Sequence, residues 1–103
     1  MAFSFLFICF FRENNYWQSY LYARSLKEEG KVIEAAAYLK RHLKIGQDSG
    51  DYLAHLGAFS VMAGQTKDGL SFLEQAKKKK NYPFWTDVWI HKAYKISKNH
   101  FRI

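Results

Sequence analysis

Four histidines, His42, His55, His91 and His100, are the side chains here best suited to hold a metal or move a proton. None stands four residues from another, and no carboxylate–histidine motif accompanies them, so they do not make the helical pair of a zinc site. Cys9 is the single cysteine. It excludes an intramolecular disulfide, offers no zinc knuckle, and fits a reducing compartment weakly. Glu28 and Glu29 close a helix with no partner acid. No GxGxxG run, phosphate loop or nucleophile elbow occurs. Catalytic chemistry has no foothold in these spacings. The expectation is a binding protein and not an enzyme, with no cofactor and no metal.

Charge narrows the partners. The net charge is +7, with basic residues spread over helix surfaces except for Lys77-Lys78-Lys79-Lys80. That run ends an expected helix, where cations meet the negative end of the macrodipole. A solvated helix end is the plain reading, and an anion-binding patch the other. A nucleic-acid surface is not expected, because the aromatics follow no RNA-binding pattern and +7 alone is a weak signal.

The elements that must position these side chains are helical. A single proline and no strand-like alternation argue against a β fold. The spacing predicts helices over about 16–29, 31–45, 51–63, 66–80 and 84–98. Asn15 and Thr66 are expected caps, and Gly30 and Gly64 supply the left-handed residue that ends a helix. Val32, Ala35, Ala36, Leu39 and Leu43 form one apolar stripe. Tyr52, Leu56, Phe59 and Ala63 form another, and Gly69, Phe72, Leu73 and Ala76 a third. Ala23, Gly57, Ala35 and Ala36 are small where helices must approach closely. Pro83 breaks the chain before the last helix, whose one side carries Trp85, Val88, Trp89, Ala93 and Ile96.

Sliding the chain by 34 residues puts Gly30 on Gly64, Ala23 on Gly57, Tyr38 on Phe72 and Leu39 on Leu73. A third, incomplete copy places Ile90 on Leu56 and Tyr94 on Ser60. Helix–turn–helix units at this period are the tetratricopeptide signature, here about two and a half repeats. The expected fold is therefore all-α, of stacked antiparallel helical hairpins over residues 16–103. Residues 1–15 form an apolar N-terminal arm ahead of it. The run Met1–Phe11 is too short to span a bilayer and lacks the flanks of a secretory signal. A cytoplasmic protein is expected, with the arm covered by the repeats or by a partner. Membrane contact through residues 1–11 is the disfavoured alternative.

In stacked hairpins the first helix of each pair lines the concave face. The repeat register brings together Trp17, Asp51 and Trp85; Tyr20, Ala54 and Val88; Arg24, Ala58 and Lys92; and Lys27, Val61 and Lys95. From these, Trp17, Tyr20, Arg24, Ala54, Ala58, Val61, Trp85, Val88 and Lys92 are the expected groove, aromatic at one side and cationic at the other. Such a groove suits an amphipathic helix. Trp89, Ile90 and Tyr94 are an expected second docking surface.

The tract from Ser60 to Ser97 also resembles a narrower group. Its glycine turn, second helix, Tyr82-Pro83, tryptophan-bearing helix and Tyr94 look like the small co-chaperones of type III secretion needle subunits. Ile33 to Leu39, followed by Gly46, is similar to that family's second helix. The resemblance implies a cytoplasmic bundle of three hairpins that works with a second small helical co-chaperone. Its groove would hold the client's amphipathic helix and prevent early polymerisation. This chain departs from the group in being basic and in carrying Met1–Phe11. Translocator chaperones of the same systems and plain repeat scaffolds are the alternatives.

Overall fold

The computed structural model describes residues 15–101 of the chain, with side chains from 18 to 97. The described residues form six helices and no strand: α1 (Asn15–Glu28), α2 (Val32–Arg41), α3 (Leu43–Gly46), α4 (Gly50–Met62), α5 (Thr66–Lys77) and α6 (Thr86–Phe101). The fold is all-α, as the periodicity predicts. The arm Met1–Phe11 lies outside the described residues.

Two turns carry the repeat into the backbone. Gly30 and Gly64 have φ of 85° and 88°, a region where a Cβ would crowd the following carbonyl. After α1, the Gly30 N–H donates to Lys27 O and the Lys31 N–H to Leu26 O. After α4, the Gly64 N–H donates to Val61 O and the Gln65 N–H to Ser60 O. Each pair of bonds satisfies carbonyls left over at a helix end, in the same pattern and 34 residues apart. Both turns are short, so α1 returns against α2 and α4 against α5.

Packing follows the apolar stripes. Ala23, Ala35, Ala36, Leu39, Tyr52, Leu56 and Phe59 form one buried cluster where α1, α2 and α4 meet. Leu53, Ala54 and Ala76 join α4 to α5, and Val61, Leu73 and Ala93 extend the core to α6. Gly57 and Gly69 face each other at the α4–α5 crossing. A Cβ on Gly57 would stand 2.6 Å from Leu73 Cγ and 2.8 Å from Gly69 O, so the two backbones approach only without one.

Several boundaries differ from the expectation. The helix expected over 31–45 breaks at His42, whose φ of −101° and ψ of 23° leave the helical region. The Leu39 carbonyl, in the last turn of α2, accepts the Tyr52 hydroxyl at 2.6 Å. Gly46 closes the short α3 with the Tyr52 ring packed on its Cα, where a Cβ would collide with the ring. A tyrosine from the next hairpin thus anchors the place where the second helix stops. The Asn15 side chain, the expected cap of α1, lies outside the described ones, and Thr66 opens α5 after Gln65, which makes no side-chain cap. Trp85 precedes α6, which starts at Thr86.

The start of α4 is held from both directions. Ser49 Oγ accepts the Tyr52 N–H at 3.3 Å, an N-cap, and Asn81 Oδ1 accepts the Gly50 N–H at 2.9 Å. Gly50 itself packs on the Tyr82 backbone, with no room for a Cβ. The segment before Pro83 is thereby pinned to α4, and this fixes where Trp85 and α6 begin.

Candidate functional site

Helix α4 is buried on almost every side, and only one of its edges opens to solvent. Along that edge stand His55, Ala58, Phe59 and Met62. Tyr20 and Lys27 of α1 flank them on one side, and Trp85 and Trp89 on the other. Together they enclose a groove of about 290 Å³. The size is at the foot of the roughly 300–1,000 Å³ range of small-molecule sites. It suits a few inserted side chains better than a whole ligand.

His55 sits at the centre of the aromatic part. Its ring lies 4.1 Å from that of Tyr20, 4.9 Å from that of Trp85 and 6.3 Å from that of Phe59, centroid to centroid. Nδ1 is 2.8 Å from the Asp51 carbonyl oxygen. A carbonyl only accepts, so Nδ1 carries the proton and Nε2 of the neutral ring is an acceptor. Burial among the rings pushes the His55 pKa below its ordinary value; the Asp51 carbonyl and carboxylate oppose this, and Lys27 and Arg24 reinforce it. His55 is therefore a neutral, amphipathic part of an aromatic wall near neutral pH.

The other end of the groove is cationic. Lys27 Nζ stands 5.6 Å from the centre of the Phe59 ring, and Lys92 Nζ stands 4.5 Å from that of Trp89. Both ammoniums lie within reach of a ring's negative face. Arg24 pairs with Glu28 at 3.2 Å along the exposed side of α1.

The structure thus redistributes the expected groove residues. Tyr20, Ala58 and Trp85 line the groove, and Lys92 does not line it but lies over the ring of Trp89, which does. Ala54 and Val61 pack in the core against α5 and α6 and do not line the groove. Val88 is 52% exposed and does not line the groove. The Trp17 side chain lies outside the described ones. Trp89, placed by the sequence on a separate docking surface, belongs to the groove wall, and Ile90 packs against the Val61–Leu73–Ala93 cluster. Tyr94 is exposed, and its hydroxyl donates to Glu74 Oε1 at 3.0 Å. His55, Phe59 and Met62 are the groove residues that the repeat register missed. Their signal was in the sequence, one position along from Ala54, Ala58 and Val61.

Elsewhere the surface offers less. A concavity of about 500 Å³ lies between Gly64–Asp68 and the Ile96–Ser97 part of α6. It has no aromatic lining, and its Asp68 is taken by Lys40 at 2.9 Å. The lysine run is partly tied down, Lys77 to Asp87 at 2.7 Å and Lys79 to Asp48 at 3.9 Å. Both ion pairs favour the solvated helix end over an anion patch. Among the described residues no group of three metal-binding side chains gathers, and no helix is long and apolar enough to cross a membrane.

No protein-family model, curated protein or solved structure matches this chain.

Proposed function

We propose that this protein is a non-enzymatic adaptor or chaperone that holds an amphipathic helix of a client in the groove between α1, α4 and α6. The observation that carries the reading is the convergence of Tyr20, His55, Phe59, Trp85 and Trp89 from three separate segments onto one open groove. Rigid aromatic anchors around a small depression are where binding energy concentrates in interfaces. A helix laid there would insert residues spaced three and four apart, as helix-in-groove complexes do.

The turns repeated at 34 residues support stacked, tetratricopeptide-like hairpins as the scaffold. The finer reading is a co-chaperone of a type III secretion needle subunit, working in the cytoplasm. It rests on the pattern around Ser60–Ser97 and Ile33–Leu39. On that reading, the outer side of α6 would meet the second small helical partner. Val88 is 52% exposed there, with Tyr94 and Ile96 exposed on the helix's two flanks.

Fluorescence titration tests the groove. Trp85 and Trp89 line it, so an amphipathic leucine-rich helical peptide should change the tryptophan emission on binding. Tyr20→Ala and Trp85→Ala should each weaken binding by about 2 kcal/mol as buried anchors. Lys79→Ala, away from the groove, should leave it unchanged. A larger loss from Lys79→Ala than from both aromatic changes would replace the groove with an electrostatic surface.

A further inference from the structure

The two ends of the groove carry opposite polarity. Asp51 belongs to the His55 end, its Oδ1 3.6 Å from His55 Nδ1. Lys27 and Lys92 belong to the Phe59–Trp89 end. Asp51 and Phe59 are separated by eight residues of α4, which is about 12 Å along the axis. Neither lysine makes an ion pair among the described residues, and the described carboxylates other than Glu34 and Asp51 are engaged elsewhere. Glu28, Glu29, Asp48, Asp68 and Asp87 hold other basic side chains, and Glu74 takes the Tyr94 hydroxyl. Each of the two ammoniums rests over a ring that lines or floors the groove, with N–H donors left to offer.

From this asymmetry we infer that the client helix carries carboxylates at one end of its apolar face, where Lys27 and Lys92 receive them. The inference rests on the helix-binding reading of the groove and adds the chemistry of the occupant. Apolar side chains of the client cover Tyr20, Phe59, Trp85 and Trp89, while its acidic end meets the two lysines. The Asp51 carboxylate at the far end disfavours the reversed placement, in which like charges would meet. Charge complementarity of this kind fixes orientation and selects partners more than it adds affinity. The chain's own Met1–Phe11 has no acidic residue, so it does not satisfy the cationic end.

The test uses the full chain and two peptides that share one leucine-rich apolar face. One carries two glutamates at one end, and the other carries glutamines there. At about 0.15 M salt, where distant surface charges are largely screened, the acidic peptide should bind about five- to tenfold tighter. The combined change Lys27→Gln and Lys92→Gln should bring that ratio close to one, whatever it does to the affinity for the glutamine peptide itself. Lys78→Gln with Lys80→Gln should leave the ratio intact. Equal affinity of the unaltered protein for both peptides overturns the acidic end and leaves the groove standing. Loss of the preference on changing Lys78 and Lys80 also overturns the acidic end, because the protein's general field would then be its source. Failure of both peptides to bind overturns the groove itself, and the acidic end with it.

Discussion

Tyr20 and His55 meet ring to ring, 4.1 Å between centroids and tilted by 53°, joining α1 to α4 at the floor of the groove. The contact makes the aromatic wall sensitive to pH. Because burial lowers the His55 pKa, the folded chain binds this proton less readily than the unfolded chain does. Stability from the neutral ring is fully present above about 6.5, the ordinary value, and falls as the pH drops below it. The loss levels off once the folded ring itself titrates. Asp51 moderates the effect, whereas Lys27 and Arg24 strengthen it. Thermal melting between about pH 7.5 and 5.5 precedes most carboxylate titration and isolates this window. Wild type should lose stability across it, and His55→Gln should lose less. Parallel curves for the two proteins would remove His55 as the cause.

The glycine turns and the glycine crossing should fail for different reasons. Gly30→Ala and Gly64→Ala meet no atom within 4 Å, so their cost is backbone conformation alone, about 1–2 kcal/mol each. Gly57→Ala keeps a helical backbone but strikes Leu73 and the Gly69 carbonyl. Its overpacking should cost about 1–3 kcal/mol, less what alanine gains in a helix. Asparagine tolerates the left-handed region, so Gly64→Asn should recover part of the loss at the turn. Nothing comparable should rescue position 57. Chemical denaturation of the four variants checks both statements.

Tyr52→Phe removes the hydroxyl donated to Leu39 O and leaves that carbonyl short of a partner in a buried place. A loss of about 1–2 kcal/mol is expected, with the helices otherwise intact. Burial also raises the Tyr52 pKa far above the ordinary tyrosine value, so this hydroxyl stays protonated at any pH where the fold survives. Denaturant unfolding with circular dichroism separates a loss of stability from a loss of helix.

Much of this architecture is legible in the sequence, and the exceptions have physical causes. Gly30 and Gly64 are legible because a left-handed residue leaves a residue-type mark at a fixed period. Ala35, Ala36 and Leu39 are legible because α2 is apolar on one side only. In α4 the periodicity gives no direction, since Tyr52, Leu53, Ala54, Leu56, Gly57, Ala58, Phe59, Ser60 and Val61 are all buried. A helix apolar all round does not announce its open edge. The repeat register therefore points to Ala54, Ala58 and Val61, whereas His55, Phe59 and Met62 line the open edge beside Ala58. The break at His42 is hidden for a different reason. It is marked by a tyrosine ten residues later, a tertiary bond that no local pattern carries.

The apolar residues left exposed on α6 predict self-association. Val88, Tyr94 and Ile96 are uncovered along the last described helix. Repeat stacks need polar outer faces at their ends to remain soluble. The isolated protein should sediment as more than a monomer at micromolar concentration, and Val88→Lys with Ile96→Lys should reduce this. A clean monomer from the unaltered chain would show that these residues need no cover.

The most direct measurement of the central claim is where a bound helix touches the protein. An amphipathic peptide with a photoreactive side chain on its apolar face can be crosslinked to the full chain and the sites mapped by mass spectrometry. Crosslinks should fall within 20–27, 55–62 and 85–92, the three segments that wall the groove. They should disappear with Phe59→Lys, provided circular dichroism shows that variant still folded, and weaken with Trp85→Ala. Crosslinks confined to 94–97 or to the lysine run 77–80 would contradict a groove that holds a helix.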